Sequence, residues 1–85
     1  PNKQFFLVTT QTGSLKGKTA DLKAAFSSNQ FASVDINELT STLKITSYKG
    51  TKIEDVKAIL VRFHLAIIDY EEEYTNTYPS IFLNH

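Results

Sequence analysis

The sequence predicts an α+β domain of order β-α-β-β-α-β, a ferredoxin-like sandwich with a long second helix. Three observations predict it: a β-branched and aromatic run near the start, alternating apolar residues through the middle, and a helical repeat in the second half. With 85 residues and 9.6 kDa, the chain has length for one modest core and none for a second, so residues 1–85 are read as a single domain.

Residues 5–10, FFLVTT, carry the aromatic and β-branched side chains that suit a pleated sheet, and Gly13 and Gly17 mark the turn region after them. This is the expected first strand. Thr19 precedes ADLKAAF, in which Leu22, Ala25 and Phe26 recur at helical spacing, predicting a short helix to about Ser28 with Thr19 as its cap. From Phe31 the period changes to two. Phe31, Ser33 and Asp35 alternate with Ala32, Val34 and Ile36; after the polar residues 37–41, Leu43, Ile45 and Ser47 alternate with Lys44, Thr46 and Tyr48. Two hairpin-linked strands are expected.

After Gly50, Thr51 and Glu54 have capping-box spacing, and Ile53, Val56, Leu60, Phe63, Ile67, Tyr70 and Tyr74 repeat at intervals of three and four with no Gly or Pro between them. That pattern predicts one continuous helix over residues 51–74, roughly six turns. A competing reading ends the helix near Phe63 and makes residues 65–69 a strand, because short apolar runs suit either state. The unbroken period to Tyr74 favours the helix, and SIFL at 80–83 is then the last strand.

Composition narrows the function. Nine basic and nine acidic side chains leave no net field towards nucleic acid or an anionic membrane. Absence of cysteine removes disulfides, thiolate catalysis and thiolate metal sites, and fits a cytoplasmic protein. No apolar segment has the length of a membrane span, so no membrane partner is expected. Frequent Phe, Tyr, Ile, Asn and Lys with scarce Gly, Pro and Arg suggests AT-rich coding of bacterial or phage type.

Residues 13–19, GSLKGKT, stand between a strand and a helix and end like a nucleotide-binding P-loop. That loop needs four residues between its first glycine and the Gly-Lys-Ser/Thr, so that successive N–H groups curl round the phosphates; here there are three. What survives is a possible anion site at Lys16, Gly17 and Lys18. The acidic residues Asp69, Glu71, Glu72 and Glu73 read as a solvated helix end rather than a metal site. His64 has no second histidine one turn away and His85 is terminal, so the sequence supports neither a metal centre nor a nucleophile–base pair. No catalytic residue, metal or cofactor is expected, and the chain reads as a non-enzyme.

Two binding readings follow. On the expected long helix Val61, Leu65 and Ile68 form a second apolar stripe, continued by Glu72, which one sheet cannot cover; it predicts a protein-interaction or assembly module binding a protein partner or a second copy. The alternative is a single-stranded nucleic-acid-binding domain using sheet aromatics such as Phe5, Phe6 and Tyr48 with Lys16 and Lys18. It is less favoured. The third strand lacks the aromatic run of an RNA recognition motif, and the chain is neutral.

Overall fold

The computed structural model describes residues 3–27 and 31–75. It contains β1 (Lys3–Thr10), α1 (Thr19–Ala25), β2 (Phe31–Asn37), β3 (Thr42–Tyr48), α2 (Ile53–Val61) and β4 (Ile67–Thr75). The strands form one four-stranded sheet in the order β2-β3-β1-β4, each neighbouring pair antiparallel. Among the described residues no helix is long and apolar enough to cross a membrane.

Burial in β1 follows the two-residue period of a strand with one covered face. Gln4, Phe6, Val8 and Thr10 are buried, whereas Phe5, Leu7 and Thr9 are half-buried. Phe6 and Val8 join Leu43 and Ile45 of β3, Leu22 of α1, Phe26 just beyond it, and Ile53, Val56 and Leu60 of α2 in a single core. Both helices therefore lie on one face of the sheet. Phe31 completes this side, its ring edge-on to Phe26 with centroids 5.1 Å apart.

The expected ferredoxin-like sandwich with a long second helix is corrected here. The second helix covers nine residues and stops at Val61; residues expected in its later turns form β4 instead. The competing reading, a helix ending near Phe63 followed by a strand, is the one the chain adopts. The stop is a Schellman turn. Leu65 N–H donates to the Leu60 carbonyl at 3.1 Å, His64 N–H donates to the Val61 carbonyl at 3.1 Å, and His64 takes the left-handed φ of 58°. Leu60 and Leu65, the apolar pair that accompanies this turn, both lie in the core.

A β-bulge made the strand look helical. Thr10 pairs with Ile67 but Thr9 pairs with Asp69, so the register slips by one residue at Ile68. Ile67 and Tyr70, three apart, then share the helix side of the sheet as they would share a helix face. A second bulge at Ala32 does the same in β2: Phe31 pairs with Ser47 and Ser33 with Thr46, which places Phe31 on the face of Val34 and Ile36 rather than opposite it. The strand expected at residues 80–83 lies outside the described residues.

The start of α2 differs by one position from expectation. Lys52 N–H donates to Asp55 Oδ2 and Asp55 N–H to the Lys52 carbonyl, both at 2.9 Å, while the Thr51 hydroxyl donates to the Tyr48 carbonyl. Thr19, the expected cap of α1, is its first residue, and its hydroxyl donates to Glu38 Oε2 at 2.7 Å.

Candidate functional site

The sheet face turned away from the helices gathers charged and apolar side chains from all four strands. Cross-strand partners point the same way, so the register builds it row by row. Glu71, Leu7, Lys44 and Asp35 form one row, Glu73, Phe5, Thr46 and Ser33 the next, and Asp69, Thr9, Thr42 and Asn37 a third. Along the strands, Phe5 and Leu7 make a half-buried apolar strip down the centre, and Asp69, Glu71 and Glu73 make an acidic file on the edge strand β4.

The face is electrostatically lopsided. Among the described residues it carries four carboxylates (Asp35, Asp69, Glu71, Glu73) against two ammonium groups (Lys3, Lys44). The Lys44 ammonium lies 5.0 Å from the centre of the Phe5 ring, a cation–π contact that draws it over the strip. A cavity of about 490 Å³ opens beside it, lined by Leu7, Thr9, Thr42, Lys44, Asp35 and Asn37 among others.

The residues expected to form an interaction stripe are separated. Leu65 is buried in the core, 7 % exposed. Val61 ends α2 at 66 % exposed, Ile68 sits at the β4 bulge at 62 %, and Glu72 lies on the helix side of β4 opposite Phe6. With the helix ended at Val61, the i, i+4, i+7 geometry that joined them does not exist.

The segment proposed to hold an anion is internally occupied. The N–H groups of Gly13, Ser14, Lys16 and Lys18 donate to Ser41 Oγ and to the carbonyls of Gln11, Gly13 and Leu15 respectively. Gly17, with φ of 76°, makes the sharp turn that lets Leu15 plug into the core. Lys18 Nζ donates to the Phe63 carbonyl at 3.1 Å, beyond the end of α2, and Lys16 is exposed. Phe6, one of the aromatics considered for base stacking, is fully buried, while Phe5 and Tyr48 do face the open side.

Among the described residues no group of three or more His, Asp or Glu side chains could hold a metal ion. His64 is exposed and structural, forming the turn that ends α2.

Gln4 escaped the sequence reading. It is 1 % exposed, its Nε2 donates to the Thr51 carbonyl at 2.6 Å, and its Oε1 has no partner. The signal was its alternation with Phe6 and Val8, which places it on the buried side. The file Asp69, Glu71, Glu73 had the same two-residue period and signalled a strand. Tyr74, beside Gln4 in the adjacent strand, donates its hydroxyl to Glu72 Oε2 at 3.2 Å, and that bond raises the phenol above its ordinary pKa.

The chain matches no family model and none of the curated proteins.

Proposed function

We propose that this chain is a non-enzymatic protein-interaction module whose helix-free sheet face docks a basic, amphipathic segment of a partner protein. The observation that carries this reading is the acidic file Asp69, Glu71 and Glu73 beside the apolar strip of Phe5 and Leu7. The strip offers area to bury, and the file selects cationic side chains and speeds their approach. Alternate residues on a strand stand about 7 Å apart, a spacing that basic side chains on one side of a partner can match.

The acidic excess weighs against the nucleic-acid alternative, because a polyanion approaching this face meets four carboxylates and two ammonium groups. It also weighs against a dimer that sets one acidic file on another. A cytoplasmic setting belongs to the same proposal.

Titrating the isotope-labelled chain with a peptide of alternating Leu and Lys tests the reading, with a Leu–Glu peptide and single-stranded oligothymidine as controls. Saturable, salt-sensitive shifts at Phe5, Leu7 and residues 69–73 with the basic peptide alone are expected. Equal response to the acidic peptide, or response to the oligonucleotide instead, overturns it.

A further inference from the structure

β4 is an edge strand: among the described residues it pairs with β1 alone. We propose that this edge takes up an extended segment of a partner protein, with alternating cationic and apolar side chains, as a fifth strand of the sheet. The choice of a basic segment rests on the reading above; what goes beyond it is the mode of binding, backbone pairing along the strand edge.

The backbone of β4 suits a further strand. Beyond the bulge at Ile68, residues 69–75 keep an unbroken register with residues 3–9 of β1. Alternate residues of such a strand turn their N–H and C=O groups away from the neighbour they already have, and a strand laid alongside satisfies them. The opposite edge is shorter, since β2 keeps its register with β3 only over residues 33–37.

The side chains of β4 specify the occupant. Asp69, Glu71 and Glu73 stand on the open face, while Tyr70, Glu72 and Tyr74 alternate with them on the helix side, where Tyr70 and Tyr74 are still 39 % and 66 % exposed. Residues opposite each other on neighbouring strands point to the same face. A segment laid along β4 therefore sets one row of side chains beside the three acids and the other row beside the two rings. Cations suit the first row, and apolar side chains, which cover the rings, suit the second. A second copy of β4 would instead set acids against acids, so the charges that favour a basic segment keep the chain from pairing with itself through this edge.

The test is hydrogen exchange and titration of the full chain with the alternating Leu–Lys peptide and with two forms of it, one N-methylated at every Leu and the other at every Lys. In an extended peptide these two sets of N–H groups point to opposite edges, so strand addition uses one set and leaves the other free. Slower exchange at alternate amides of residues 69–75, and binding at least about tenfold weaker for one methylated peptide with the other unchanged, are expected. Equal affinities for the two methylated peptides, or unchanged exchange along β4, overturn strand addition; shifts that persist at Phe5 and Leu7 then leave the face reading standing. Protection along β4 with no response at Phe5 and Leu7 supports strand addition and overturns the face reading. Failure of the unmethylated peptide to bind overturns both.

Discussion

The Leu65 amide donates to the Leu60 carbonyl at 3.1 Å while both side chains sit in the core. This one pairing ends α2, turns the chain through His64 and aims the next nine-residue segment into the sheet as β4.

His64 occupies the left-handed position at which glycine is ordinarily found. Replacing it with glycine removes a Cβ penalty of about 1 kcal/mol, partly offset by the greater freedom of the unfolded chain. His64→Gly is therefore expected to be neutral to about 1 kcal/mol more stable, and His64→Val less stable than wild type, because a β-branched residue resists this φ. Urea midpoints at unchanged slope check both.

Lys18 joins the two helical regions by donating to the Phe63 carbonyl at 3.1 Å. Lys18→Met keeps most of the stem and removes the donor, so a loss of about 0.5–1.5 kcal/mol is expected. The structural role would show as a lower melting temperature in the absence of any anion. A variant as stable as wild type would return Lys18 to the solvent and reopen its availability to ligands.

Leu65 and Ile68 separate core from surface within one short segment. Leu65→Glu places a charge among buried apolar groups and is expected to cost several kcal/mol, enough to unfold a domain this small. Ile68→Glu, at a site 62 % exposed, should stay within about 0.5 kcal/mol of wild type. Denaturation curves of the two variants provide the comparison, and comparable losses at both positions would contradict the bulge that turns Ile68 outwards.

The Tyr74 hydroxyl donates to Glu72, which raises its pKa from the ordinary 10.0 because ionisation breaks the bond and sets two negative charges together. Glu72→Gln should return the ring towards its ordinary titration, read from the ring-carbon shifts of labelled tyrosine in alkaline solution. The sign is that of a raised acid: the bond favours the folded state below the unfolded phenol's pKa, and the benefit disappears as pH rises through the folded value. Tyr74 is exposed and water screens the pair, so the spectrum should move while the accompanying loss of stability at acid and neutral pH is too small to resolve in a denaturation curve.

Local chemistry in the sequence determined the first strand, the short first helix, the β2–β3 hairpin and the start of the second helix to within a few residues, because period and turn residues there agree with the final environment. It also placed Leu43 and Ile45 on one face of their strand and Val56 and Leu60 on one stripe of their helix, and all four are buried. Only the tertiary structure decided the fate of residues 62–75. Their three-and-four spacing is satisfied equally by a helix and by a helix end followed by a bulged strand, and no glycine marks the boundary because His64 takes the left-handed turn itself. Pairing along β1 favours the strand: it gives the β4 backbone its hydrogen bonds, lets Leu65 enter the core, and moves Asp69, Glu71 and Glu73 from a crowded helix end to the open face of an edge strand, where carboxylates remain in water. The unpartnered Gln4 oxygen could be found only after that packing, because an unmet hydrogen bond is a property of what surrounds a residue and not of the residue itself.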